Sequence, residues 1–208
     1  MSKPLRSLIT FLIGTATLVG LPLVGWGITD MEGFVRNPAR LAYAVLVVLL
    51  NIYASVKIPE VGKERPKEKT VIGRQNLAVV LMQIISMLAV VVGPYCDRRQ
   101  LGILGGGDAL RYAGLVLYLC GFWVMHRTEA HLGKQFTVKV ALQEGHRLIT
   151  DGPYRHLRHP RYLGVILFLL GICLVFTSAW SLICVAAMVV VFAWRISDEE
   201  ELLHREFG

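Results

Sequence analysis

Residues 151–164 read Asp151-Gly152-Pro153-Tyr154-Arg155-His156-Leu157-Arg158-His159-Pro160-Arg161-Tyr162-Leu163-Gly164. A run of apolar residues follows at once. Lipid tolerates neither idle charge nor irregular backbone at its edge. A segment with three Arg, two His, two Tyr and two Pro in that place has two readings. It is built to hold something polar, or it is a basic loop that sets topology and meets anionic headgroups.

A second cluster closes the chain. Arg195 ends the last apolar run, and Asp198-Glu199-Glu200-Glu201 follow. Four consecutive acids repel one another and are costly beside lipid unless cations answer them. Arg195 and Glu199 are four apart and share one helical face. Taken alone, this is also the pattern of a snorkelling Arg before a solvated acidic helix start. Between the two clusters lie the apolar runs 162–177 and 179–196, joined around Ser178. A hairpin of two helices brings its own ends together, so the basic and acidic clusters can meet.

A ligand for such a pair offers a carboxylate or phosphate to the Arg and His donors. It offers hydroxyls or an ammonium to the glutamates. It offers a flat or cationic body to the tyrosines and to Trp194. S-adenosylmethionine carries every one of these groups. A nucleotide phosphate engages the basic half and leaves the acids unexplained.

These clusters are positioned by membrane helices. The chain is 54% hydrophobic with net charge +7, and its mean hydropathy is +0.54. That is too apolar for an ordinary soluble domain and fits a polytopic membrane protein. Basic charge then faces anionic lipid, which argues against nucleic acid as a partner. The spacing of Cys96, Cys120, Cys173 and Cys184 fits no metal site, and three of them lie in apolar runs, so neither zinc nor a disulfide framework is expected. Lys3 and Arg6 precede an apolar run that mimics a signal peptide. It extends to about Ile28, long enough to span, and more spans follow, so it reads as the first helix.

The predicted helices cover 7–28, 39–57, 76–95, 109–127, 162–177 and 179–196. The fold class is an all-α integral membrane protein with about six transmembrane helices. Five remain possible, since the last two runs are short. Pro22 is expected to kink the first helix, and Pro38, Pro59 and Pro94 to sit near helix ends. Asp108, after Gly105-Gly106-Gly107, reads as an N-cap. The glycine run matches no dinucleotide fingerprint and reads as a flexible turn.

Six spans put seventeen of the 22 Lys and Arg on one side of the membrane. Only Arg36, Arg40, Arg98, Arg99 and Arg111 fall on the other. The positive-inside rule then makes both termini and residues 128–161 cytoplasmic. The expected location is a plasma membrane or bacterial inner membrane. Residues 1–108 form an N-terminal membrane region whose loop, 58–75, reads as a solvated mixed-charge connector. Residues 109–208 form the catalytic region: a membrane helix, a cofactor loop at 128–161, the hairpin 162–196 and an acidic C-terminal helix. The loop is too long and too rich in Gly and Pro for an idle connection. His126 and His131 flank Glu129 but are five apart. They do not stack on a helix face and read as interfacial polar residues, as does His204, with no metal expected. Trp26, Trp123, Trp180 and Trp194 lie near span ends, as belt residues do.

The segment Leu132-Gly133, Glu144-Gly145-His146-Arg147-Leu148-Ile149-Thr150, Gly152-Pro153-Tyr154-Arg155 and Arg158-His159-Pro160-x-Tyr162-x-Gly164 resembles the isoprenylcysteine carboxyl methyltransferase family. The closing Glu199-Glu200-x-x-Leu203-x-x-x-Phe207-Gly208 is similar to that family's terminal motif. The similarity covers the C-terminal third to half of the chain, in this order and with a hydrophobic hairpin between. The wider group includes phospholipid and small-thiol methyltransferases, and a set of sterol reductases shares related architecture.

The resemblance implies a membrane enzyme that uses S-adenosylmethionine and releases S-adenosylhomocysteine. Its cofactor contacts would fall on His146, Arg147, Leu148, Ile149, Tyr154, His159, Pro160, Arg161, Tyr162, Glu199 and Glu200. Backbone groups around 146–149 would read adenine, and Glu199 would accept from ribose hydroxyls or the amino group. Arg158 and His159 would hold the methionine carboxylate. Arg195 would lie on the lipid-substrate side, which makes Arg158, His159, Arg195 and Glu199 the catalytic set. The family's pattern runs on into a Tyr-containing basic tail, whereas this sequence stops at Gly208, so the tail is either trimmed or absent. The N-terminal half matches only as membrane spans, and the acceptor does not transfer with the motif.

The acceptor is a lipophilic or small carboxylate, thiol or amine. A carboxylate needs desolvation and alignment. A thiol needs its thiolate favoured by Arg195 or Arg158. An amine needs a base such as Glu199 or His159. Two other functions compete: a membrane reductase with a nicotinamide cofactor, and a non-catalytic membrane protein. No dinucleotide fingerprint supports the first. Transporters place polar residues at the bilayer midplane, whereas here they gather at one face.

Overall fold

The computed structural model describes residues 3–57, 68–71, 75–133, 141–143 and 151–207. Among them are eight α-helices: α1 Lys3–Thr15, α2 Leu21–Trp26, α3 Met31–Val35, α4 Pro38–Lys57, α5 Gln75–Arg99, α6 Gly107–Leu132, α7 Pro160–Val175 and α8 Ala179–Phe207. Two short strands, β1 Glu68–Val71 and β2 Ala141–Gln143, complete the set. Five stretches are long and apolar enough to cross a membrane: Ser7–Trp26, Pro38–Val56, Gln75–Arg99, Gly107–Leu132 and Ala179–Leu202. Helix α7 has 16 residues. At 1.5 Å per residue that is about 24 Å, short of the ~30 Å hydrocarbon core. Among the described residues the all-α membrane fold thus has five stretches long enough to cross and one shorter apolar helix, α7. Their outer faces are apolar, with Ile13, Val116 and Val190 all more than 60% exposed, as lipid contact requires.

Several predicted ends move. Helix α8 does not stop near residue 196. Its ladder continues through the acidic run to Phe207, because apolar character ends at the membrane edge while helical hydrogen bonding does not. Pro94 lies inside α5. Asp108 is not the cap of α6; Gly106 is, and Gly107 opens the helix. Both adopt positive φ, 116° and 55°, so the turn demands glycine. Asp108 stands in the first turn and accepts from Asn37 Nδ2 at 2.8 Å. The kink expected at Pro22 is a π turn at Ala16–Gly20, just before α2. Pro22 has no N–H for the Leu18 carbonyl, and the Tyr43 hydroxyl of α4 donates to that oxygen at 2.8 Å.

The 58–75 connector is not wholly solvated coil. Strand β1 pairs antiparallel with β2, Val71 opposite Ala141 and Glu68 opposite Gln143. The ribbon ties the first half of the chain to the long segment before α7.

Lipid supplies no hydrophobic drive between helices, so close packing must do so. Helices α6 and α7 meet backbone to backbone through Gly114, Gly121, Gly164 and Gly171. A Cβ on Gly121 would lie 2.4 Å from the Phe168 nitrogen and 2.6 Å from the Gly164 oxygen, and one on Gly171 would lie 2.5 Å from the Tyr118 nitrogen. Gly121→Ala therefore forces the helices apart and costs about 1–3 kcal/mol of overpacking. At Gly20 a Cβ meets nothing within 4 Å. Thermal unfolding in detergent should show Gly121→Ala clearly lowered and Gly20→Ala close to wild type.

The end of the bundle away from the acidic run is fastened by charge. Asp97, fully buried on α5, lies 2.9 Å from Arg40 Nη1 and 2.7 Å from Arg111 Nη2. Arg40 also donates to the Phe34 and Gly33 carbonyls at 3.1 and 3.0 Å, and Arg111 to the Val175 carbonyl at 2.6 Å. Trp26 is not a belt residue. It is buried, with the Arg40 guanidinium 4.2 Å above its ring.

Candidate functional site

Pro160 opens α7, where its missing N–H is harmless and its fixed φ suits the helix. The residue before a proline is pushed out of the helical region, and His159 caps α7 with φ −128° and ψ 61°. Its ring is thereby turned back toward α8. His159 Nε2 lies 3.3 Å from Glu200 Oε1, and His159 Nδ1 lies 3.8 Å from Glu199 Oε2. Arg158 Nη1 lies 3.7 Å from Glu200 Oε1. The basic and acidic clusters do meet, and the hairpin of α7 and α8 brings them together.

Tyr162 stands at the centre. Its hydroxyl donates to Glu199 Oε2 at 2.6 Å and accepts from Arg195 Nε at 2.8 Å. Its ring is held between His159 and Phe192, with centroids at 5.6 and 4.7 Å. Arg195, Asp198 and Glu199 share one face of α8, as their spacing of three and four requires. Arg195 and Asp198 are buried, whereas the Glu199 side chain is 33% exposed and that of Glu200 46%. The two glutamates thus keep an open side on which a ligand can bind.

The 3₁₀ turn Gly152–Arg155 carries Tyr154 to the same place. Burial, first, and the negative field of Glu199 and Glu129 push the Tyr154 hydroxyl up to about 12, against the opposing pull of Arg161. Tyr154 is therefore a neutral donor at any physiological pH. Asp151 anchors the turn to the end of α6, its Oδ1 2.9 Å from His131 Nε2. That hydrogen bond holds the Asp151 carboxyl below its ordinary value. Arg161 pairs with Glu129 of α6 at 3.0 Å. His126, Glu129 and His131 face three different partners, since His126 Nε2 lies 3.3 Å from the Tyr53 hydroxyl.

Of the sequence-predicted residues, Arg158, His159, Tyr162, Arg195, Glu199 and Glu200 form one contact network, and Tyr154 lies in the field of Glu199. Pro160 is buried beneath it, and Arg161 faces α6. His146, Arg147, Leu148 and Ile149 lie outside the described residues. Trp194 is half-buried beside Arg195 on α8.

Two further members are Gln75, which the sequence did not single out, and Asp198, which it placed in the acidic cluster but not among the contact residues. Gln75 opens α5 and is 1% exposed, and Asp198 is 2% exposed. The Gln75 amide donates through Nε2 to Asp198 Oδ2 and accepts from Arg195 Nη1 at 3.5 Å. The signal for them was the polar step Arg74-Gln75-Asn76 at the mouth of an apolar run, and an acid one turn after Arg195.

Residues 112–205 match the family model of isoprenylcysteine carboxyl methyltransferases. Protein-S-isoprenylcysteine O-methyltransferases A and B of Arabidopsis thaliana are each 33% identical over 98 residues, 46% of this chain and 50% of theirs. A probable protein-S-isoprenylcysteine O-methyltransferase of Oryza sativa subsp. indica is 30% identical over 100 residues, 47% of this chain and 52% of its own. The chain spans about half the length of the curated relatives it matches. The matched stretch contains α7, the whole Tyr162 network on α8 and the 3₁₀ turn, but not Gln75. The similarity to the isoprenylcysteine carboxyl methyltransferase family thus lies in residues 112–205, the part of the chain that holds this network.

Proposed function

We propose that this protein is an integral membrane methyltransferase that uses S-adenosylmethionine and acts on an anionic acceptor carried by a lipophilic group. The observation that carries the reading is the chain Arg195–Tyr162–Glu199, flanked by His159 and Glu200, inside the family-matched stretch. The donor set suits the cofactor. Glu199 and Glu200 accept from hydroxyl and ammonium groups, Arg158 and His159 meet a carboxylate, and Tyr154 adds a neutral donor. When bound, S-adenosylmethionine supplies a methyl group on a sulfonium, which departs as a neutral thioether as the acceptor oxygen takes the methyl.

The chain's own residues then have three tasks. Glu199 and Glu200 hold the polar body of the cofactor. Tyr162 fixes the Glu199 carboxylate and the Arg195 guanidinium relative to one another. Arg195, buried among helices, favours an acceptor that is already negative, which speaks for a carboxylate before an amine. No general base is required, since a carboxylate is ionised above pH ~5. Alignment is the main contribution. The charge asymmetry supports a site on the cytoplasmic side, with both termini there.

The test is calorimetric binding of S-adenosylhomocysteine to detergent-purified protein, repeated in lipid nanodiscs, with NADPH as the competing probe. We expect micromolar binding of S-adenosylhomocysteine, weakened at least tenfold in His159→Ala and untouched by NADPH. Folded protein that binds NADPH and not S-adenosylhomocysteine would turn the assignment to a reductase.

A further inference from the structure

We propose that Gln75 is a positioning residue of this site, supplied by the half of the chain that the family match does not reach. The inference rests on the methyltransferase reading. Gln75 is the first residue of α5, and α5 packs along α8. Its amide spans two groups one helical turn apart on α8, Arg195 through Oε1 and Asp198 through Nε2. All three residues are at least 95% buried.

The chemistry makes this position specific. A primary amide is a neutral planar group with an acceptor on one side and a donor on the other. Only one orientation satisfies both neighbours, since the flipped amide would aim its NH₂ at a guanidinium and its oxygen at a carboxylate. Met matches the length of Gln but leaves both contacts unmade, which is costly among buried charges. An ionised Glu offers an oxygen to Arg195 but sets a second carboxylate against Asp198. A protonated Glu differs again, because its carbonyl accepts from Arg195 and its hydroxyl donates to Asp198, as Gln does.

The consequence reaches the reacting groups in two steps. Arg195 Nε donates to the Tyr162 hydroxyl, which donates to Glu199. Gln75 therefore fixes the acceptor-side guanidinium, and it leaves the cofactor-facing glutamates to be held by Tyr162 and His159. Its own placement is constrained as well. Strand β1 ends four residues before Gln75 and pairs with β2, which precedes the 144–150 segment.

The experiment compares Gln75→Glu and Gln75→Met with the intact protein in nanodiscs. It reads S-adenosylhomocysteine affinity and methyl transfer to N-acetyl-S-farnesylcysteine between pH 5.5 and 8.5. Tryptophan fluorescence checks folding at each pH. We expect S-adenosylhomocysteine affinity within about threefold of wild type in both variants. Gln75→Met loses 10- to 100-fold in kcat/KM for the acceptor at every pH. Gln75→Glu approaches wild type at pH 5.5, where the crowded carboxylate pair shares a proton. It falls at least tenfold behind by pH 8.5, where that proton is gone.

A ratio of Gln75→Glu to wild type that does not change with pH overturns the assignment, whether or not Gln75→Met folds. So does a folded Gln75→Met with wild-type kinetics. Wild-type protein that neither binds S-adenosylhomocysteine nor methylates the probe overturns the methyltransferase reading and this inference together. An active wild type with indifferent Gln75 variants overturns the inference alone.

Discussion

Asp97→Ala should lower the stability of the folded protein by about 3–5 kcal/mol, the usual consequence of removing one partner from a buried ion pair. Asp97 is fully buried and joins Arg40 of α4, Arg111 of α6 and its own helix α5. Without it two guanidiniums face each other in a largely buried site, with only the exposed Asp108, 3.7 Å from Arg111 Nε, as a remaining carboxylate. They cannot discharge themselves, because arginine does not lose its proton in proteins. Nor can they easily turn away, since they cap the carbonyls of Gly33, Phe34 and Val175. Replacing the whole triad by apolar residues would leave those carbonyls unpaired, so the cluster is more than an exchangeable ion pair. Native stability is typically only ~5–15 kcal/mol, and the loss should appear as poor yield of folded protein and a large drop in unfolding temperature. Glu201→Ala breaks an exposed i,i+4 pair with Arg205 and should shift stability by less than about 0.5 kcal/mol. Equal melting of the two variants would mean that the triad does not hold this end of the bundle.

The sequence made the helices legible and left the fastenings obscure, for a physical reason. Long apolar runs report burial in lipid directly, so the spans were placed to within a few residues. Their ends are not written in the same pattern, because the apolar run and the hydrogen-bond ladder stop for different reasons. Helix α8 shows this best, crossing the acidic run as one helix to Phe207. The triad was invisible. Arg40 and Asp97 are 57 residues apart, and nothing local distinguishes them from the other interfacial charges. The glycines of α6 and α7 were equally silent, because close approach is a property of two helices and not of either sequence. The pairing of β1 with β2 joins strands of four and three residues across some seventy positions, too short for any pattern to announce. The clusters of 151–162 and 195–200 were legible because each is dense in chemistry and a hairpin must join its own ends. What spacing could not give was the central place of the Tyr162 hydroxyl, nor the part of Gln75, which enters from another helix altogether.

Glu199→Gln should reduce the proposed methyl transfer by about 100- to 1000-fold, the range found when a preorganised polar contact in an active site is removed. The substitution isolates charge from shape. The amide that replaces the carboxylate would retain an oxygen able to accept from the Tyr162 hydroxyl, so the internal network survives. What disappears is the negative charge on the partly exposed side of the carboxylate, where the hydroxyls and ammonium of the cofactor are proposed to bind. S-adenosylhomocysteine affinity should therefore fall with turnover. Tyr162→Phe provides the complementary cut. It keeps the ring stacked between His159 and Phe192 but removes the one hydroxyl that meets both Arg195 and Glu199. Its expected loss is smaller, on the order of 10- to 30-fold, or about 1.4–2 kcal/mol for one hydrogen bond to charged groups. Groups that act as a unit are not additive. The double variant should consequently lose clearly less than the product of the two single losses. Initial rates with labelled methyl donor, beside S-adenosylhomocysteine calorimetry on the same preparations, measure all three. Full multiplicativity would show that Tyr162 and Glu199 work independently. Undiminished turnover in Glu199→Gln would remove the acidic face of α8 from the site.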